Sequence, residues 1–431
     1  MTAPVERPSV DSAAQPRLVG RFAALDGFRS LAAIGVVVYH VAGYSQLTSD
    51  GSFGAGMLGN LGNFGVAVFF LLSGFLLYRP FVVAHLQDRP SPRWAPFYWN
   101  RLLRIFPGYW LALTVFLLIV GTAQASPKLD YYLTLYTLTQ NYRPYFGASG
   151  LTVAWTLCIE VSFYLALPMI AVTIRAVIGA KATSPRTRMQ AQLLGLAALV
   201  LICWVYRLLV VPLSSGKEDN FHLWLPNYLD WFALGMVLAV AVVWSDLGHR
   251  LPRVVRVLAG TPWVCWVLAL WTYVILSLLR GSNAGALTGT EKESVSEAFL
   301  RFGFNGVAAF FLLLPAVLGV SRPSRIRTVM SSRAPAYLGT VSFGIYLWHK
   351  IWLDWSKGEG RKAGDAGGFG PLGDNVRGAL SAPRRVVQET VGTSFWPLLG
   401  AVLVFTLITA AASWHGLERP VLRFKRLDRR A

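Results

Sequence analysis

Between Leu31 and Trp414 the chain keeps returning to long apolar runs, each near the roughly 20 residues that a helix rising 1.5 Å per residue needs to cross a hydrocarbon core of about 30 Å. A segment in lipid must satisfy its own backbone hydrogen bonds, and a run of this length does so as a helix. Candidate crossings fall at 27–46, 61–79, 103–121, 150–174, 190–212, 223–244, 262–280, 298–320, 336–355 and 394–414. The expected fold is therefore all-α, a polytopic integral membrane bundle of about 10–11 transmembrane helices. The stretch Tyr131 to Gln140 is too short to cross alone and reads as re-entrant, interfacial or half of a broken helix.

No soluble-looking block separates the runs, so one membrane domain is expected over 25–415, with a flexible tail at 1–24 and a basic tail at 416–431. Only 14% of the residues are charged, where soluble domains carry about a quarter, and this excludes an ordinary soluble enzyme. Any chemistry must then sit within the bundle. The formal charge of +19 could suggest nucleic acid, but the basic residues cluster between apolar runs and not along one amphipathic face, so no nucleic-acid partner is expected. Cys158, Cys203 and Cys265 lie inside apolar runs without CxxC or His spacing, which indicates neither a disulfide framework nor a metal site. The first 24 residues lack the apolar stretch of a cleavable signal peptide, and the run from Leu31 reads as a retained span.

Basic residues near span ends resist translocation. Alternate loops carry Arg79, Arg89, Arg93, Arg101 and Arg104; then Arg175, Lys181, Arg186 and Arg188; then Arg250, Arg253 and Arg256; then Arg322, Arg325, Arg327 and Arg333. This set is placed inside. The C-terminal tail from Arg419 to Arg430 joins it, as does the N-terminus with Arg7, Arg17 and Arg21. One loop breaks the pattern: Lys357 to Thr393 is Gly-rich and carries Arg361, Lys362, Arg377, Arg384 and Arg385, yet would face outward. Long loops obey the charge rule less strictly.

An ionisable residue deep in a span costs at least a few kcal/mol and needs a reason. In LDGFRSLAAIGVVVYH, Arg29 and His40 are eleven positions apart, which returns them to one helix stripe about 16 Å apart along the axis. Direct contact between them is not expected. Arg29 is open to two readings, a positive-inside anchor paired with Asp26 or a functional group; His40 is either a satisfied core histidine or a catalyst. Glu160, in WTLCIEVSFY, sits about ten residues into an apolar helix, as a counter-ion to some arginine or as the group that orients and charge-stabilises a catalytic histidine. Arg101 and Arg104 form an RxxR pair on one helix face, suited to a pyrophosphate or to lipid headgroups. His349 and Asp230 read as residues near span boundaries, and neither is taken as the catalyst.

Together these segments resemble the acyltransferase family 3 membrane proteins. The resemblance rests on the R-X10-H spacing from Arg29 to His40, FFLLSGFLL from Phe69 to Leu77, RLLR from Arg101 to Arg104, WTLCIEVSFY from Trp155 to Tyr164, SFGIYLWH ending at His349, and LERP at Glu418. It implies a helical enzyme that takes an acyl group from cytoplasmic acyl-CoA, as co-substrate with no bound cofactor, and delivers it to a carbohydrate or glycolipid acceptor at a bacterial plasma membrane. It further implies that Arg29, His40 and the RxxR pair are required. Some members carry a C-terminal extracytoplasmic esterase-like domain; this sequence stops soon after Arg430, so such a partner is expected to be separate or unnecessary. Val161 stands where related chains often have a second carboxylate.

The expected roles follow. His40 is the general base with Glu160 stabilising its imidazolium, Arg101 and Arg104 hold CoA phosphates, and Arg29 lines the passage or contacts the donor. Trp155, Tyr164 and His349 complete the candidate substrate contacts. A rival class is a proton-coupled exporter in which Arg29, His40 and Glu160 form a relay; the RxxR pair and the lack of an internal repeat argue against it.

Overall fold

Each apolar run folds as a helix. The computed structural model describes residues 22–49, 51–121, 128–144, 146, 149–213, 220–281, 294–318, 324–358, 369 and 371–429. The tail arginines Arg7, Arg17 and Arg21, together with Arg322, Arg361, Lys362 and Arg430, lie outside these residues. Among the described residues there is no strand, and nine helices are long and apolar enough to cross a membrane.

In chain order the α-helices are α1 (Ala23–Tyr44), α2 (Phe53–Leu86), α3 (Trp94–Ile119), α4 (Leu129–Tyr136), α5 (Trp155–Thr173), α6 (Pro185–Leu213), α7 (Leu229–Asp246), α8 (Arg253–Gly260) and α9 (Pro262–Gly281). Then come α10 (Val295–Val317), α11 (Arg325–Met330), α12 (Arg333–Thr340), α13 (Ser342–Lys357), α14 (Pro371–Ala379), α15 (Ser381–Val391) and α16 (Phe395–Ser413). The helix α4 has 8 residues, in keeping with a segment too short to cross.

The helix α2 forms the centre, with 78% of its apolar window buried against 22% for α6 and 28% for α9. The exposed faces of α6 and α9 carry Leu194, Leu201, Leu209, Leu270 and Trp271, an apolar surface that lipid would cover. Lipid gives helices no hydrophobic reason to associate, so close packing must supply the contact. At the α2–α7 crossing a Cβ on Gly74 would lie 2.2 Å from the Phe232 carbonyl oxygen, and one on Gly235 would lie 1.9 Å from that of Leu71. Only glycine lets these two backbones meet.

The run expected to cross at 336–355 divides instead into α12 and α13. The break at Val341 is fixed on both sides, because Gly339 presses its Cα against the Asp26 carbonyl of α1, 1.8 Å from where a Cβ would stand, while the Ser342 hydroxyl donates to the Gly339 carbonyl at 2.8 Å. With 16 residues α13 extends about 24 Å, short of a full crossing. It packs beside α1 and α16, and His349, Ile345 and Ile351 on it are 0% exposed.

Candidate active site

A cavity of about 290 Å³ opens among α1, α2, α3, α5 and α13. The second turn of α1 contributes Arg29, the i, i+3 spacing on α3 turns Arg101 and Arg104 in together, and Lys425 reaches it from the C-terminal segment. Among the described residues Glu160 on α5 is the single carboxylate in a lining that holds these four cations.

The cations are not equivalent. Arg104 lies 3.9 Å from Glu418 Oε2 and over the rings of Trp414 and Phe343, at 5.5 and 5.7 Å. Glu418 is itself buried and accepts from the Ser413 hydroxyl at 3.1 Å. Arg101 rests over the Tyr164 ring at 5.9 Å. Among the described residues neither Arg29 nor Arg101 has an ion-pair partner, and the buried Nε of each lacks a hydrogen bond. Two guanidinium groups left this way inside a pocket form a receptor for an anion, because a buried charge without a partner is costly until one arrives.

Glu160 accepts from the Ser73 hydroxyl at 2.7 Å and from the Tyr164 hydroxyl, with both bonds on Oε1. Its side chain is thus anchored within the arginine-lined cavity. The sequence reading paired Glu160 with His40. In the fold the side-chain partner of His40 is His349 on α13, which packs on α1, while Glu160 on α5 bonds to Ser73 of α2.

His40 Nδ1 lies 3.0 Å from the Val36 carbonyl and 3.1 Å from His349 Nε2, while His349 Nδ1 lies 3.0 Å from the Ile345 carbonyl. A carbonyl can only accept, so His349 Nδ1 carries the hydrogen and its Nε2 presents a lone pair. That lone pair faces His40 Nδ1, which is therefore the N–H, shared with the Val36 carbonyl. Assigned from this network, the neutral tautomer leaves His40 Nε2 with a free lone pair. Protonation there turns His40 into an imidazolium whose Nδ1–H already points at an acceptor. The pair has the form of a base and its orienting partner.

Tyr346 links the pair to the cavity. It lines the cavity, its ring centroid lies 6.0 Å from that of His349, and its hydroxyl is held by Thr156 Oγ1 at 2.8 Å and the Val153 carbonyl at 3.1 Å.

Five sequence candidates, Arg29, Arg101, Arg104, Glu160 and Tyr164, therefore share the cavity, and two more, His40 and His349, touch each other beside it. Trp155 does not join them: its ring packs against Tyr228 at 5.6 Å, and its carbonyl accepts from Asn141. Ser73 and Lys425 were not picked out, and Tyr346 was noted only as sharing the helix face of His349. Ser73 is the one hydroxyl in FFLLSGFLL and was readable as a polar break in an apolar run; Lys425 looked like one more basic tail residue.

The sequence model of a family described as an acyltransferase domain matches residues 22–415. A Bacillus subtilis (strain 168) protein named "Putative peptidoglycan O-acetyltransferase YrhL" is 25% identical over 420 residues, 92% of this chain and 54% of that protein. A Staphylococcus aureus (strain COL) protein, named as a putative O-acetyltransferase, is 24% identical over 344 residues, 75% of this chain and 49% of its own length. "Nodulation protein 10" of Rhizobium leguminosarum bv. viciae is 38% identical over 125 residues, 25% of this chain and 32% of that protein. The chain thus spans about half the length of the first two relatives. No solved structure gives a significant match.

Proposed function

This chain belongs to the acyltransferase family whose model spans residues 22–415, and from that premise we propose that it moves an acetyl or other short acyl group from acyl-CoA to a carbohydrate hydroxyl. The observation that carries the reading is the juxtaposition of an anion-receiving cavity, with Arg29 and Arg101 unpaired among the described residues, and a histidine whose Nε2 lone pair is fixed by its neighbour. CoA offers phosphates to the first. An acceptor hydroxyl offers a proton to the second. The peptidoglycan named for the Bacillus subtilis relative supports a glycan acceptor.

In the proposed reaction His40 Nε2 takes the proton of the acceptor hydroxyl as its oxygen attacks the thioester carbon. The His349 lone pair stabilises the imidazolium through His40 Nδ1–H. Collapse of the tetrahedral intermediate breaks the C–S bond, and the CoA thiolate takes the proton from His40, giving ester and free thiol. Arg101 and Arg104 hold donor phosphates bidentately, with Arg29 and Lys425 adding positive potential. Glu160 holds Tyr164 beneath Arg101 and limits the charge of the cavity. By the distribution of Arg and Lys, the cavity opens to the cytoplasm of a bacterial plasma membrane.

The test is acyl-CoA hydrolysis and acyl transfer by purified protein in detergent over a panel of CoA esters. The expected result is turnover of at least one ester, abolished in His40→Ala and shifted to higher KM in Arg101→Ala. If acyl-CoA is neither bound nor consumed, the reading fails and proton-coupled export takes its place.

A further inference from the structure

A second cavity, of about 160 Å³, lies beyond the histidine pair and is lined by Tyr44, Ser356, Val387, Gln388, Val391 and Thr393 among others. Its place follows from two helices. Along α1 the order is Arg29 in the first cavity, then His40, then Tyr44 in the second. Along α13, which packs on α1, the order is Ser342 and Tyr346 in the first, then His349, then Ser356 in the second. His40 thus stands between them, about 16 Å from Arg29 and about 6 Å from Tyr44 along the axis.

The two cavities differ in charge. Among the described residues the first is lined by four cations and a carboxylate, whereas no charged side chain lines the second. This neutrality is unexpected, because the roof of the second cavity is α15, part of the basic loop Lys357 to Thr393 that broke the charge pattern. Two arginines of that loop, Arg377 and Arg384, are engaged elsewhere. Arg377 pairs with Asp374 at 2.5 Å and reaches the Leu117 and Leu118 carbonyls, and Arg384 lines a separate small pocket beside Trp355. What faces the second cavity is Val387, Gln388 and Val391 at helical spacing. Gln388 Nε2 donates to the Ser356 carbonyl at 2.6 Å, and Thr393 lines the cavity beside it. Tyr44 adds an aromatic ring, with Lys357 Nζ 4.0 Å from its centroid.

An aromatic ring, an amide, hydroxyls and apolar edges without charge match the chemistry of a neutral sugar, which stacks through its C–H face and exchanges hydrogen bonds around its rim. At about 30 Å³ per water the cavity holds roughly five waters, the scale of one sugar ring. The geometry points to this cavity as the acceptor subsite, which takes one uncharged, hydroxyl-bearing ring and presents its hydroxyl to His40 from the side opposite the donor. The inference rests on the acyltransfer reading above and adds where the acceptor ring sits, that it is uncharged, and the face from which it comes.

Two measurements on the full chain test it. In the first, Thr393→Cys is labelled with a maleimide in detergent, against a background in which Cys158, Cys203 and Cys265 are all buried. Methyl glucoside and methyl N-acetylglucosaminide are expected to slow labelling at least fivefold, with methyl glucuronide much less effective. In the second, Val391→Trp fills the cavity and is expected to raise the KM for the neutral glycoside at least tenfold, while the KM for acyl-CoA moves less than twofold. Absence of protection by both neutral glycosides overturns the inference, as does equal or better protection by the glucuronide, or a Val391→Trp change that falls on acyl-CoA. Labelling needs no turnover, so loss of acyl-CoA consumption in the wild type would sink the parent reading while protection still reports on the cavity.

Discussion

His349 Nε2 lies 3.1 Å from His40 Nδ1, across 309 residues of sequence, and this contact decides which nitrogen of His40 is free to act. His349 does for His40 what a carboxylate does in many base dyads, but as a neutral acceptor. The imidazolium it supports is therefore less strongly stabilised than one facing an anion, a property suited to a base that must return its proton to the departing thiolate within one turnover.

His349→Ala is expected to lower kcat by about 10²-fold with little change in the KM for acyl-CoA, since an oriented base contributes on the order of 10²–10⁴. His349→Gln, which offers a carbonyl oxygen to His40 Nδ1–H, should recover part of that loss. The double variant with His40→Ala should be no slower than His40→Ala alone, because the two residues act as one unit. Steady-state kinetics of the four proteins checks all three statements; additive losses would separate the histidines functionally.

Glu160→Gln distinguishes the pairing found here from the one expected on sequence grounds. The amide oxygen can still accept from Ser73 and Tyr164, so the fold should hold, while the cavity loses its one carboxylate and attracts a polyanion more strongly. The expected outcome is a several-fold lower KM for acyl-CoA with kcat within about tenfold of wild type. A kcat loss beyond about 10²-fold at unchanged KM would instead mark Glu160 as the partner of His40.

The apolar runs and polar intrusions made the bundle, the Arg29–His40 stripe and the RxxR face legible, because each depends on local spacing alone. Partner choice was not legible. Glu160 seemed the natural mate of His40 because both were isolated ionisable groups, yet which helix faces which is set by close backbone approaches such as that of Gly339 on Asp26, and a single glycine carries no sign of its target. The same approach divides the run 336–355, whose hydropathy alone reads as one crossing. Lys425 and the neutral underside of α15 were hidden for a related reason: a sequence records charge along the chain, not which charges their neighbours have already engaged.

The α2–α7 crossing sets a stability prediction. Gly235→Ala places a Cβ 1.9 Å from the Leu71 carbonyl oxygen, and backbone cannot yield as a side-chain tip can. A loss of about 1–3 kcal/mol or more is expected, the usual range for overpacking, read as a lower melting temperature in detergent. Gly303→Ala, on α10 with no atom within 4 Å of its added Cβ, should leave the melting temperature unchanged or slightly higher.

Arg101 and Arg104 are three residues apart and identical in kind, yet their surroundings predict phenotypes that differ in stability. Arg101 has no ion-pair partner among the described residues, so Arg101→Ala removes a group poised for a ligand and leaves nothing stranded; the KM for acyl-CoA should rise about tenfold or more with the melting temperature unchanged. Arg104 faces the buried Glu418, so Arg104→Ala strands a carboxylate and should also destabilise the protein, by up to about 3–5 kcal/mol where the pair is fully buried. Adding Glu418→Gln removes the stranded charge and should restore much of the melting temperature but none of the affinity for donor. Both KM effects should shrink as ionic strength rises, because the attraction being removed is itself screened. Paired melting curves and KM values at low and high salt decide the matter. Equal thermal losses for the two single variants, or restoration of KM by Glu418→Gln, would show that Arg104 does not combine a donor contact with a scaffold role as its contacts indicate.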